Sequence, residues 1–169
     1  MFEAVVRGTP IFSPDSSKVA YIGKLGNKCY FFINDELIRE HDDVLNYSLI
    51  FSPDSSKTAY IALTVGKWLS HDSYFVVTDK THTKPYDDIL DGSLIFSPDS
   101  SKIAYVARRK DNFYVVIDEN EGMAYENIVM TYSKDGYKRQ TYGFSFNSSG
   151  NIEYLILDGN DLYRIEEKV

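Results

Sequence analysis

Short runs rich in Val, Ile, Tyr and Phe alternate along this chain with clusters of Ser, Asp, Asn and Gly, and no apolar spacing of helical period is sustained for three turns. Such runs predict strands, because β-branched and aromatic side chains fit a pleated, half-buried surface. One phrase organises them. "IFSPDSSKVAY" at 11–21 returns as "IFSPDSSKTAY" at 50–60 and "IFSPDSSKIAY" at 95–105, and a worn copy, "FSFNSSGNIEYLI", begins at Phe144. Aligned on Phe12, Phe51, Phe96 and Phe144, the copies recur at a spacing typical of propeller blades.

Within one copy, "IFS" predicts a short strand and "PDSS" a turn, in which Pro presets the backbone while Asp and Ser bond nearby amides. A second strand follows at once ("KVAYIG", "KTAYIA", "KIAYVA", "NIEYLI"), then a third ("CYFFIND", "SYFVVTD", "FYVVIDE", "LYRIEEK"). A fourth run ("HDDVL", "YDDIL", "YENIV") completes a four-stranded meander. The second and third strands are apolar at nearly every position, which predicts sheets covered on both faces.

The pattern therefore predicts an all-β fold: a β-propeller of about four four-stranded antiparallel blades. The units fall near residues 9–47, 48–92, 93–141 and 142–169, and residues 1–8 belong with the last. "FEAVVRGTPIF" aligns with "YDDILDGSLIF", so the N-terminal strand is expected to close the last blade as its outermost strand. Closure within one chain is the simpler expectation. Exchange of that strand between two copies, giving a larger homodimeric ring, is the other.

At 169 residues the chain suits a single domain, residues 1–169. A net charge of -7 argues against general nucleic-acid binding, which rests on a basic footprint. One cysteine, Cys29, cannot form an internal disulfide and reads as a small apolar residue beside "YFFI". No stretch reaches the roughly 18 apolar residues of a spanning helix, so no membrane role is expected. The N-terminus shows no charged leader before an apolar core, so a cytoplasmic protein is expected.

Motifs for catalysis are missing: there is no G-x-S-x-G elbow, phosphate loop, G-x-G-x-x-G or C-x-x-C. His41, His71 and His82 lack metal-ligand or triad spacing, so neither a metal nor a cofactor is expected. His41 shares an aromatic column with Phe2, Tyr86 and Tyr125 and reads as structural. The Asp of each "SPDSS" reads as a turn residue, since an active site needs one convergent set of groups and not three copies of a turn. "DENEG" at 118–122 also reads as a turn.

Two loop features are candidates for partner binding. "TVGKWLSHD" carries the only tryptophan, Trp68, beside His71, and an exposed Trp on a loop is a contact anchor. "ARRKDN" and "SKDGYKRQ" bring Arg108, Arg109, Lys110, Lys134, Lys138 and Arg139 toward one face, a basic patch suited to an acidic partner.

"FSPDSSKIAYVA" followed by "FYVVIDENEGMAYENI" resembles the WD-like, or PD, repeats of TolB-type bacterial β-propellers, over nearly the whole chain. That resemblance implies a propeller with the "FSPD" strand nearest the axis and the "YDDI" strand outermost, and it carries over no catalytic residue. The expected function is a non-enzymatic binding or scaffold module that holds an unidentified protein partner through one loop face. The alternatives are a small-ligand or glycan-binding propeller, or an accessory domain of a hydrolase.

Overall fold

The computed structural model describes residues 2–66, 71–79, 81–129, 131–132 and 141–169; at 131, 132, 141 and 142 only the backbone is described. Among the described residues the regular structure is entirely β, in antiparallel pairs. The chain divides into two compact units, Met1–Asp87 and Asp88–Val169. The division falls inside the "YDDIL" run at 86–90.

The first unit holds two sheets. One comprises β1 (Ala4–Val5), β2 (Ile11–Phe12), β3 (Val19–Leu25), β4 (Lys28–Ile33) and β5 (Glu36–His41). The second comprises β6 (Asp43–Val44), β7 (Ile50–Phe51), β8 (Thr58–Thr64) and β9 (Ser73–Thr78), with Tyr86 and His82 bridging to β9. In the second unit, β10 (Asp88–Ile89), β11 (Ile95–Phe96), β12 (Ile103–Arg109), β13 (Asn112–Ile117) and β14 (Asn120–Tyr125) form the third sheet. β15 (Ile128–Val129), β18 (Phe144–Phe146), β19 (Ile152–Asp158) and β20 (Asp161–Glu167) form the fourth, and β16 (Thr131–Tyr132) pairs with β17 (Thr141–Tyr142).

The predicted second and third strands lie where expected, but the role of the "DDV/DDI/ENI" run is corrected. It is not outermost. β6, β10 and β15 pair with the long strands β8, β12 and β19, on the same edge as β7, β11 and β18. The run is the first half of an edge whose second half is the "IF" strand. A break in the left-handed region separates the halves, at Gly8 (φ 88°), Tyr47 (φ 62°) and Gly92 (φ 75°). The outer position goes instead to "ELIREH" and "NEGMAY". Each is reached by a two-residue turn with both residues at positive φ, Asn34-Asp35 and Asp118-Glu119, the geometry that folds a tight hairpin.

The N-terminal strand is corrected for the same reason. β1 pairs with β3, Ala4 opposite Lys24 and Val5 opposite Gly23, so it opens the first sheet and does not serve as an outer strand of the last. The worn copy also shifts: Phe146, opposite Ile152, holds the position that Phe12, Phe51 and Phe96 hold, whereas Phe144 lies two residues earlier, opposite Tyr154 on the same face.

Residues directly opposite on neighbouring strands share a face, so the pairing divides each sheet into two faces. Face one carries Ala20, Ile22 and Phe31 in the first sheet, and Ala104, Val106 and Val115 in the third. Face two carries Val44, Tyr60, Ala62 and Val77 in the second sheet, and Ile128, Ile152, Tyr154 and Ile165 in the fourth. In each unit face one of the earlier sheet packs against face two of the later, making one core apiece. β8 is buried along both faces, as expected; β19 is buried on one face alone, and β3 on one face except at Gly23, which Phe2 covers.

Candidate functional site

The three "SPDSS" hairpins are built alike, and their polar groups are turned inward on one another. In the first, the Ser13 hydroxyl donates to Asp15 Oδ1 at 2.6 Å, and the Ser17 amide and hydroxyl donate to the same carboxylate at 3.0 and 2.8 Å. The Lys18 amide donates to Ser13 Oγ at 2.9 Å. Ser52–Asp54–Ser56 and Ser97–Asp99–Ser101 repeat this. The bonds from Ser13 and Ser17 hold the Asp15 carboxyl well below its ordinary range, and those from Ser97 and Ser101 push Asp99 down to about 2. A carboxylate so fully supplied with donors is a fixed anion, unsuited to proton transfer near neutral pH.

The first hairpin also grips the next. The Asp15 amide donates to Ser55 Oγ at 3.0 Å, and Lys18 Nζ donates to the Ser55 carbonyl at 2.8 Å. Ser55 occupies the left-handed position of its turn and is buried.

A cleft of about 470 Å³ in the first unit is lined by Arg39, Glu40, His41, Thr64, Phe75, His82, Thr83 and Pro85. His41 Nε2 lies 2.8 Å from the Tyr60 hydroxyl, and its ring meets Phe75 at 5.9 Å; Phe75 in turn meets His82 at 5.5 Å. Burial lowers the His41 pKa to about 4, with Arg39 and His82 acting in the same direction. The imidazole is therefore neutral at neutral pH. Tyr125 and Tyr154 repeat the contact in the second unit, hydroxyl to hydroxyl at 3.0 Å, which supports the structural reading of the His41 column.

Among the candidate loop residues, Trp68, Lys134, Lys138 and Arg139 lie outside the described residues. His71 is exposed beside Asp72, whose carboxylate accepts the Gly66 amide at 2.9 Å. Arg109 is held bidentately by Glu121 at 2.8 and 3.3 Å. Arg108 reaches Asp88 at 3.8 Å and the Lys110 carbonyl at 3.3 Å. As neighbours on a strand, Arg108 and Arg109 point to opposite faces, and each meets an internal carboxylate. Lys110 stands exposed at the hairpin tip. Among the described residues no group of three or more His, Cys, Asp or Glu side chains is placed to hold a metal ion, and no helix is long and apolar enough to cross a membrane.

The feature that sequence reading missed is an open apolar face. Face two of the first sheet carries Val5, Phe12, Val19, Tyr21, Tyr30 and Phe32. Tyr21 stacks on Phe32 at 5.0 Å, and Phe2 meets Phe32 edge-on at 5.3 Å, seated over Gly23 where a Cβ would strike its ring. Val5 is 51% exposed and Phe12 70%, whereas Val44, at the position of Val5 in the second sheet, is 5% exposed. The same apolar pattern is thus covered in one sheet and left to solvent in the other. The signal lay in the alignment of Val5 with Val44 and Ile89, but its meaning depended on which strand β1 joined.

No protein-family model matches this chain, and no curated protein matches it.

Proposed function

We propose that this chain is a β-propeller-type repeat protein of the WD-like (PD) kind that acts without catalysis, as a binding or scaffold module for another protein. The observation that carries this reading is the open apolar face of the first sheet, with Val5 and Phe12 exposed beside the Phe2–Phe32–Tyr21 aromatic row. A contiguous apolar sheet face on a protein of net charge -7 is the kind of surface that marks a partner site. The repeated Asp and Ser groups, the most promising source of catalytic chemistry in the sequence, are taken up by their own turns. Docking therefore centres on this face, and Arg108 and Arg109 serve their own sheet.

The test compares the unaltered chain with Phe12→Asp in affinity recovery from its native cells, followed by identification of what is bound. Phe12 is mostly solvent-exposed, so the variant should fold as well as the parent. A partner recovered with the parent and lost with the variant supports the reading. Equal recovery by two equally folded proteins removes this face from it.

A second reading, small-ligand binding, is favoured by the cleft between His41, Phe75 and His82. An apolar floor with imidazole, guanidinium and hydroxyl groups at its rim suits a small polar-aromatic or sugar-like molecule. Histidine NMR signals should then move for some member of a metabolite panel; unmoved signals of His41 and His82 across the panel would dismiss it.

A further inference from the structure

The first unit already contains one solved example of how its open face is covered. The second sheet presents the same face, through Val44, Tyr60, Ala62 and Val77, and what buries it is face one of the first sheet: Ala20, Ile22, Cys29 and Phe31. The small side chain of Ala20 belongs to the surface that meets Tyr60, a fully buried tyrosine. The contact is fixed at its rim by the Asp15 amide and the Lys18 ammonium, both donated to Ser55.

The first sheet repeats the receiving half of this joint position by position. Val5 stands for Val44, Tyr21 for Tyr60, Phe32 for Val77, and Ser16, at φ 62°, for Ser55 at φ 64°. Ser55 is buried under its donors; Ser16 is exposed.

The chain's own last sheet is a poor match for that receiver. At the position of Ala20, Ala59 and Ala104 it carries Glu153, opposite Ser145 and Glu166 where the other sheets have apolar or Thr partners. At the position of Phe31, Val76 and Val115 it carries Arg164, paired with Glu153 at 2.7 Å. Covering an apolar face with this one would bury an ion pair and a second carboxylate, which costs more than it returns. A polar outer face of this kind is how repeat arrays end.

Resting on the reading of the open face as a docking surface, we infer that its occupant is a sheet of the same repeat type on another polypeptide. That sheet presents Ala at its centre among aliphatic neighbours, and an S-P-D-S-S-K hairpin whose Asp amide and Lys ammonium reach Ser16. It is not a second unaltered copy of this chain, whose available end is polar. The geometry is heterologous, one face receiving and the other donating, so each added sheet extends the array in one direction.

The experiment supplies the donor face in a defined probe. The probe is the full chain with Ser145→Ile, Glu153→Ala, Arg164→Val and Glu166→Thr, which give the strands of the last sheet the apolar pattern of the earlier ones while its own turn at 147–151 is kept, and Phe12→Asp, which blocks its own receiving face. Mixed with the unaltered chain and followed by light scattering and calorimetry, it should form a one-to-one complex. A joint at the small end of protein interfaces implies a Kd on the order of 10 µM. Binding should fall at least about tenfold when the unaltered chain carries Phe12→Asp. If circular dichroism shows that the five changes unfold the probe, Glu153→Ala with Arg164→Val and Phe12→Asp takes its place.

Absence of a complex with a folded probe would overturn the inference, as would a complex indifferent to Phe12→Asp. Self-association of the unaltered chain that Phe12→Asp abolishes would also overturn it, by showing that a second copy is the occupant. If the probe fails to bind while partner recovery from cells still depends on Phe12, the docking surface stands and only the stated chemistry of its occupant falls.

Discussion

His41 in β5 and Tyr60 in β8 join two sheets of the first unit through a 2.8 Å hydrogen bond, and Tyr125 in β14 with Tyr154 in β19 makes the equivalent bond at 3.0 Å in the second. In each pair the end of an outer strand is tied to the central strand of the next sheet. The imidazole of the first pair makes that tie sensitive to pH below neutrality.

The His41 pKa is lowered to about 4 in the fold, against an ordinary value near 6.5 in the unfolded chain. Between these values the unfolded chain binds more protons, so stability rises with pH through this window and is lost as pH falls from about 6.5 toward 4. The ring is partly solvated, so the effect is on the order of 1–2 kcal/mol after screening. Arg39, His82, Glu40 and Asp42 set the local field. His41→Tyr, which reproduces the residue of the other columns, should remove this contribution; urea midpoints at pH 7 and pH 5 for both proteins provide the check.

Ser52 is buried, and its hydroxyl donates to Asp54 at 2.6 Å while accepting the Lys57 amide at 2.9 Å. Ser52→Ala leaves that amide without its acceptor at a buried turn and should cost about 1–3 kcal/mol. Ser17→Ala, on an exposed hydroxyl, should cost clearly less. A difference in denaturation midpoint between the two variants measures this directly.

Cys29 is fully buried, and its thiol donates to Asp43 at 3.3 Å; burial first, and then that bond, push its pKa up to about 11. The thiolate is thus scarce and shielded, so a disulfide reagent should react at least about a hundredfold more slowly than in the denatured chain. Labelling that runs at the denatured rate in native buffer would contradict this placement.

Arg109 and Arg108 should behave differently although they are adjacent. Arg109→Ala breaks a bidentate bond to Glu121, a carboxylate more buried than its partner, and should cost about 0.5–1 kcal/mol. Arg108, 3.8 Å from Asp88 and half exposed, should cost less than about 0.5 kcal/mol. Paired thermal or urea melts decide the order.

The sequence by itself determined the strands and the turns between them. β3, β8, β12 and β19 lie on the predicted runs, and each "SPDSS" is a hairpin turn, because these depend on neighbours a few residues away: Pro setting an angle, Asp accepting from Ser. "DENEG" likewise contains the turn expected of it, at Asp118-Glu119. Only the tertiary structure decided which edge the "DDV" and "DDI" runs would take, since backbone bonding between strands distant in sequence leaves no mark on side-chain periodicity. For the same reason the N-terminal strand could be aligned with its repeats yet assigned to the wrong sheet, and the openness of Val5 and Phe12 followed from that pairing alone. Charge was illegible in a like manner: Arg109 reads as a free cation until Glu121, on the strand two away, is brought within 2.8 Å of it. Local chemistry fixes what each segment becomes, and long-range pairing fixes which of its groups remain available to a partner.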